Sequence, residues 1–246
     1  MNPAPSLAIR AESLVKNYRT DWRSHPWRAL DGVSLAVPRG TVCGLIGSNG
    51  SGKTTTLKVL AGLVRADSGR CEIDGGSVAA AQAAGKVGFL SETAGWSAHL
   101  SGREFLRGLA LVSGLAREPA EEAVVTALRR VGLDGAADRR LGGYSKGMRQ
   151  KLGLAQAVLG DPAVVLLDEP AAGLDPRASA QLGGVIERLR ARGRTVLLTS
   201  HFLPQAAEWC DRIVLLERGR VLFAGDRAAV AAAGGLDRLY LERTLG

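Results

Sequence analysis

Cysteine, aromatic residues and long apolar runs are scarce in this 246-residue chain. Cys43, Cys71 and Cys210 are odd in number, lie far apart and have no CxxC or CxxH spacing. This excludes a disulfide framework and a zinc site of ordinary spacing, and it indicates a reducing cytoplasm. No segment approaches the roughly 18 apolar residues of a transmembrane helix, and no secretory leader is recognisable. We therefore expect neither secretion nor a membrane span.

Blocks of like charge are also missing. The formal net charge of +8 comes mostly from arginines scattered through an Ala-, Gly- and Arg-rich background. Such scattering is typical of a solvated surface rather than of a nucleic-acid-binding tail. The length allows one domain or two tightly joined subdomains.

A glycine-rich stretch, GSNGSGKTTTLKVL at 47–60, follows the apolar run TVCGLI. Gly47, four intervening residues and then Gly52, Lys53 and Thr54 have the spacing of a phosphate-binding loop. Its glycines let backbone N–H groups face an anion, its lysine adds a charge, and its threonine hydroxyl suits Mg²⁺. The helix expected next directs its positive end at the same anion. The predicted nucleotide-binding residues of the loop are Ser48, Asn49, Gly50, Ser51, Gly52, Lys53, Thr54 and Thr55.

Polar side chains end two further apolar runs. VVLLDEP places Asp168 where its carboxylate can reach Mg²⁺ through water, and Glu169 where it can face the water that attacks the γ-phosphate. TVLLTSH places His201 where its imidazole can bond a γ-phosphate oxygen or that water. The alternatives are acidic residues that merely begin a loop and a histidine with a structural role.

The strands are expected in two groups. LAIRAESLVKNY and ALDGVSLAVPRG predict antiparallel strands, with RTDWRSHPWR between them as a long hairpin loop. VVLL and RTVLLTS are short apolar runs flanked by helical segments, which is typical of parallel strands covered on both faces.

A helical insertion is expected from about 93 to about 156. Ser101 and Glu104 have the spacing of a capping box before one helix, and Pro119 stands near the start of the next.

The block YSKGMRQKLGLAQAVLGDPAVVLLDEPAAGLDP, residues 144–176, resembles the signature, Walker B and D-loop region of the ABC ATPases. Their motif order and spacing extend over nearly the whole chain. The resemblance implies an α/β fold: a P-loop NTPase (RecA-like) core, an N-terminal antiparallel β subdomain and an inserted α-helical subdomain. A single domain, 1–246, would comprise a nucleotide-binding core of 1–92 and 157–246 and a helical signature subdomain of 93–156.

The resemblance also implies roles for single residues. Tyr18 would stack on adenine. Trp22 or Trp27 could compete for that contact, but Tyr18 is preferred by position and the tryptophans are interpreted as structural residues. His201 would be the switch histidine. Glu92 takes the position of the Q-loop glutamine and would contact Mg²⁺ together with Thr54 and Asp168.

Other residues would act across an interface, on the ATP held by a second copy. These in-trans residues are Ser145, Lys146, Gly147 and Met148 of the signature and Asp175 of the D-loop. Lys146 replaces a glycine of the commonest signature and adds a positive charge.

The implied function is an ATP- and Mg²⁺-dependent ATPase subunit that powers an ABC transporter through ATP-driven dimer closure. Its partners would be a second ATPase subunit, forming a homodimer, and a separate transmembrane permease docked near Glu92 and Trp96. Trp96 could instead anchor the helical subdomain. The protein would lie on the cytoplasmic face of the cell membrane.

Export is favoured over import for two reasons. By resemblance, a glutamate at the Q-loop position together with a KGMRQ-type signature is frequent in exporter subunits. We also expect no room after the last strands for the regulatory domain that many importer subunits carry. The alternative function is a soluble ABC ATPase that acts on nucleic acid or the ribosome. It is disfavoured because the insertion has no sustained heptad, so no direct nucleic-acid contact is expected. A regulatory ATPase without turnover is disfavoured by the complete set Lys53, Asp168, Glu169 and His201.

Overall fold

The computed structural model describes residues 6–19, 27–92 and 95–244. The strands of this part of the chain are β1 (Leu7–Tyr18), β2 (Trp27–Pro38), β3 (Val42–Ile46), β4 (Ser68–Ile73), β5 (Gly76–Ser77), β6 (Val87–Leu90), β7 (Val164–Leu167), β8 (Thr195–Ser200), β9 (Arg212–Glu217) and β10 (Arg220–Asp226). The helices are α1 (Lys53–Leu60), α2 (Val78–Ala83), α3 (Gly102–Val112), α4 (Arg117–Val131), α5 (Lys146–Ala157), α6 (Pro176–Ala191), α7 (Leu203–Trp209), α8 (Arg227–Ala232) and α9 (Leu236–Thr244). Among the described residues no helix has both the length and the apolar character to cross a membrane.

The N-terminal strands form an antiparallel sheet in the order β2-β1-β4-β5. β1 pairs antiparallel with β2, as the sequence predicts, and on its other edge it pairs antiparallel with β4. Most of the predicted loop between β1 and β2 lies outside the described residues, and Trp22 lies there too.

A six-stranded sheet has the order β10-β9-β3-β8-β7-β6. β3, β6, β7, β8 and β9 run parallel, and β10 closes the edge as an antiparallel partner of β9. The parallel direction brings the carboxyl ends of β3, β7 and β8 to one edge of the sheet. The residues after these ends are the glycine-rich loop, the two carboxylates and His201.

The central strands are apolar throughout because each face packs against a separate core. Val164 and Leu166 of β7 join a cluster with the antiparallel sheet and α1, whereas Val165 and Leu167 join one with the helices on the other face. Alternate side chains of a strand point to opposite faces. Two buried faces therefore explain the run VVLL.

Within the described residues between β6 and β7, where the insertion is predicted, the chain forms three α-helices and two short 3-10 helices. The capping box at the start of α3 is present: Ser101 accepts from the Glu104 N–H, and the Glu104 carboxylate accepts from the Ser101 N–H. The Trp96 ring packs edge-on against Phe105, with 6.1 Å between ring centroids. This contact supports the anchoring role of Trp96.

Helix α5 packs against β6 without space for a methyl group at either glycine of the contact. A Cβ on Gly88 would lie 1.7 Å from the Ala157 carbonyl oxygen, and one on Gly153 would lie 2.4 Å from Leu90 Cδ1. Glycine at both positions is thus what allows the helix to approach the strand this closely.

Gly88→Ala is expected to lower the free energy of unfolding by about 1–3 kcal/mol or more, because the new methyl group meets backbone that cannot rotate away. The matched control is Gly108→Ala in α3, where a Cβ meets nothing within 4 Å. Alanine there should raise stability by about 0.5–1 kcal/mol. Equilibrium unfolding in guanidinium measures both; equal effects would contradict the packing argument.

Candidate nucleotide site

The glycine-rich loop joins β3 to α1 and leaves the start of the helix without a side-chain cap. Gly52 is the N-cap residue, and its φ of 107° lies in the left-handed region. A Cβ there would also approach the Ala29 carbonyl oxygen to 2.6 Å. With no capping side chain, the first-turn N–H groups of α1 can bind an anion.

Lys53 lies inside this loop, with 6% of its surface exposed. Its Nζ donates to the carbonyl oxygens of Gly47 at 2.8 Å and Ser48 at 2.9 Å, and lies 3.6 Å from Glu169 Oε1. The ammonium group is therefore held at the mouth of the loop, and the phosphate-binding role of Lys53 stays a prediction.

Asp168 is 1% exposed, and its carboxylate depends on two hydroxyl donors. Thr54 Oγ1 donates to Asp168 Oδ1 at 3.0 Å, and Thr199 Oγ1 donates to the same oxygen at 2.8 Å. Burial raises the pKa of the Asp168 carboxyl above its ordinary value, whereas the bonds from Thr199 and Thr54 act to lower it. The carboxylate is thus placed beside the threonine hydroxyl that is predicted to bind Mg²⁺.

The Glu169 carboxylate contacts the His201 imidazole and lies near the Lys53 ammonium group. Its Oε2 lies 2.9 Å from His201 Nδ1, and its backbone N–H donates to Thr199 Oγ1 at 2.7 Å. Its φ of 46° is in the left-handed region that non-glycine residues rarely adopt. The neighbouring strand thus holds the Glu169 backbone in a costly conformation that directs the carboxylate to its partners.

A cavity of about 270 Å³ opens between these groups. Its lining is Trp27, Asn49, Gly50, Gly52, Lys53, Thr54, Thr55, Glu92, Glu169 and His201. The structure therefore brings together the glycine-rich loop, Glu92, the second carboxylate and the histidine, which are distant in the sequence.

The aromatic ring on this cavity is that of Trp27, which is 54% exposed. Tyr18 stacks on Trp27 with 6.1 Å between centroids and 23° between planes, and Lys16 Nζ lies 5.7 Å from the Tyr18 centroid. Tyr18, the predicted adenine contact, does not line the cavity itself but packs behind Trp27, so the adenine contact stays a prediction.

The donor set suits Mg²⁺ held together with a bound phosphate. The described residues contain no group of three or more His, Cys, Asp or Glu side chains that could hold a metal alone. Mg²⁺ characteristically takes one or two carboxylates and completes its shell with waters and phosphate oxygens. Thr54, Asp168 and Glu92 meet that description.

The predicted in-trans residues form a second cluster, whose cavity shares no lining residue with the first. Ser145 caps α5 by accepting from the Met148 N–H, and Asp175 caps α6 by accepting from the Ala178 N–H. The side chain of Lys146 lies across Gly173, where a Cβ would come within 2.0 Å of its Nζ. The signature and the D-loop are therefore in contact within one chain.

Two further polar residues hold the site and are not indicated by the sequence motifs. Thr199 bonds Asp168 and the Glu169 backbone, as described above. Glu217, at the end of β9, accepts from Ser48 Oγ, whose distances to the two carboxylate oxygens are 2.8 and 3.0 Å. The one sequence signal for Thr199 is a polar residue inside an apolar run; Glu217 has none.

Comparison with known proteins agrees with this geometry. The family model described as ABC transporter matches residues 30–172, which is more than half of the chain. The chain belongs to the ABC transporter family. It carries that family's ATP-binding domain, and its fold is the P-loop NTPase fold of the ABC ATPase cassettes.

Individual relatives are similar over most of this domain. The daunorubicin resistance ATP-binding protein DrrA2 of Streptomyces coeruleorubidus is 38% identical over 92% of this chain and 72% of its own length. The Nod factor export ATP-binding protein I of Burkholderia orbicola is 37% identical over 80% of this chain and 65% of its own length. A solved structure described as the ATP binding subunit of an ABC transporter superimposes with a TM-score of 0.82 at 31% identity, covering 96% of this chain and 99% of that one. The chain thus spans about two thirds of the length of these curated relatives.

Thr199→Val is expected to lower the free energy of unfolding by about 1–3 kcal/mol, because a buried N–H loses its acceptor. It should also lower the rate of ATP hydrolysis at least tenfold, because both carboxylates lose the group that positions them. The control is Thr195→Val on the same strand, whose hydroxyl accepts from the Gly40 N–H away from the cavity. A similar stability loss with an unchanged rate is expected there; an unchanged rate in Thr199→Val would contradict the positioning role.

Trp27→Ala is expected to weaken ATP binding by about 1–3 kcal/mol, the usual contribution of base–aromatic stacking. Trp27→Phe, which keeps a ring, should retain most of the affinity. Calorimetric titration with a non-hydrolysable ATP analogue measures both variants beside Tyr18→Ala. Loss of affinity in Tyr18→Ala alone would assign the base contact to Tyr18 instead.

Proposed function

We propose that this protein binds ATP with Mg²⁺ in the cavity at the sheet edge and hydrolyses it to ADP and phosphate. The observation that carries the proposal is the convergence of Lys53, Thr54, Asp168, Glu169 and His201 from three parallel strands. Lys53 and the N–H groups of α1 hold the phosphates. Thr54, Asp168 and Glu92 would hold Mg²⁺, which would supply positive charge to offset the charge that develops on the phosphates.

Glu169 is the proposed general base. Its carboxylate faces the cavity between Lys53 and His201, and a carboxylate in that position can take a proton from water as it attacks the γ-phosphate. His201 orients the carboxylate through their 2.9 Å contact and can bond the departing phosphate. Glu169 therefore moves the proton while Lys53 and His201 stabilise charge.

A second copy completes the site. The signature cluster has its own helix N-terminus and an adjacent lysine, yet lies on a separate cavity from the phosphate loop. In a head-to-tail homodimer, Ser145, Lys146, Gly147 and Met148 would meet the γ-phosphate held by the other chain, with Asp175 beside it. ATP would then favour the closed dimer, and hydrolysis would release it.

We propose that the energy of ATP binding and hydrolysis drives transport, and that the direction of transport is export. The relatives named for daunorubicin resistance and for Nod factor export support that direction. A separate transmembrane permease would dock near Glu92 and place the ATPase on the cytoplasmic face of the cell membrane. The domain would comprise a core of 1–92 and 157–246 and a helical subdomain of 93–156.

Glu169→Gln is expected to lower kcat for ATP hydrolysis by about 10²–10⁴, the range for loss of a general base. ATP affinity should stay within about threefold, because the amide keeps the size of the side chain. The control is Glu122→Gln on the exposed face of α4, which should match the parent. Phosphate release and ATP titration measure the two quantities; parental turnover in Glu169→Gln would exclude this base.

Partner capture tests the transport role. Tagged Glu169→Gln, solubilised gently from source-cell membranes with ATP and Mg²⁺, is expected to recover a multi-span membrane protein, as identified by mass spectrometry. The Lys53→Ala/Glu169→Gln variant controls for ATP dependence. Recovery of ribosomes or DNA-associated proteins without a membrane protein would instead favour the soluble ATPase acting on nucleic acid or the ribosome.

A further inference from the structure

A strongly basic groove lies between α4 and α6, away from the phosphate-loop cavity and next to the signature cavity, with which it shares Lys151, Arg177 and Gln181. It encloses about 820 Å³, and no described acidic residue lines it. Its cationic lining consists of Arg129, Arg130, Lys151, Arg177, Arg188 and Arg192. We refer to it as the basic groove.

The charges of the basic groove are poorly neutralised within the described part of the chain. Arg130 pairs with Asp161 at 2.7 Å, but Arg194 shares that carboxylate. The other five cations form no ion pair with a described carboxylate. Arg130 Nε is buried and makes no hydrogen bond to the described residues. Mutual repulsion among these cations therefore favours an external anion.

Helix dipoles explain only part of this arrangement. Arg129 and Arg188 lie in the last turns of α4 and α6, where cations are favourable. Arg177 lies in the first turn of α6, where a cation is unfavourable, and Lys151 lies within α5. Their common feature is the groove that they line.

The walls of the groove also indicate the kind of anion. Val131, Val185 and Leu189 lie beneath the charged residues, but as core side chains they are almost fully buried and form only the floor of the groove. Guanidinium groups bind phosphate oxygens in a bidentate manner, and the volume lies within the range of sites for one small molecule. A flat bilayer would reach only the rim, because the cations line a concave wall.

We propose that the basic groove binds a small organic phosphate, that is, a phosphate ester with an apolar part. The ester would bridge α4 and α6, with its phosphate on the arginines and its apolar part toward the floor of the groove. Arg177 stands two residues after Asp175, so the ligand would contact the same helical turn that the D-loop begins. The site shares no lining residue with the proposed ATP cavity of the same chain, but it adjoins the signature cavity through Lys151 and Arg177.

The test uses 1-naphthyl phosphate as a fluorescent probe on the full chain, with saturating MgADP to occupy the ATP cavity. Arg177→Ser/Arg188→Ser removes two groove cations and is expected to weaken probe binding at least tenfold, because the probe phosphate loses two charge-assisted hydrogen-bond donors. Arg65→Ser/Arg117→Ser removes the same charge at exposed positions outside the groove and should leave the affinity within about twofold. Fluorescence anisotropy measures each titration.

Several results would overturn the proposal. Equal weakening of probe binding in both double variants would do so, as would no weakening in either. So would the absence of saturable binding to the parent protein below millimolar probe, or an equal affinity for uncharged 1-naphthol. Tighter binding of phosphatidylglycerol vesicles or of a single-stranded oligonucleotide would also overturn it, in favour of a lipid or nucleic-acid surface. If thermal unfolding shows that the first variant is destabilised, Arg129→Ser/Arg192→Ser repeats the test from two other exposed positions.

Discussion

The buried carboxylate of Asp168 is the group on which the arrangement of the ATP cavity depends. Removing a carboxylate from water is costly unless donors replace the lost hydration. Here one donor comes from the helix that follows the glycine-rich loop and the other from the neighbouring parallel strand. The same strand hydroxyl holds the Glu169 backbone. One buried charge thus ties α1, β7 and β8 together at the edge where nucleotide binding is expected.

The left-handed backbone conformation of Glu169 also depends on contacts with the neighbouring elements. A non-glycine residue in this region costs of order 1–3 kcal/mol and persists only where its surroundings enforce it. The Thr199 hydroxyl, the two buried strands and the contact with His201 supply that enforcement. Part of the stability gained by packing is therefore offset by the strained backbone that orients the Glu169 carboxylate.

Much of the site can be predicted from the sequence because its groups lie at strand ends. Lys53, Thr54, Asp168 and Glu169 each follow an apolar run within a few residues, and parallel strands bring such ends together. Contacts between positions far apart in the chain carry no comparable local signal. Glu217 reaches Ser48 through a sheet neighbour, and Trp27 reaches the cavity through the pairing of β1 with β2. The Lys146 contact with Gly173 likewise depends on how α5 meets the loop before α6.

The tight contact between α5 and β6 has a mechanical consequence. The helix starts at the signature, and the strand ends two residues before Glu92. Glycines at the contact leave no gap in which the two could slide, since a close-packed interface transmits displacement instead of absorbing it. Force applied beside Glu92 would therefore reach the signature as a nearly rigid shift. Helix α5 and strand β6 would then move together as one rigid unit, because glycine at both contact positions allows them to pack without a gap.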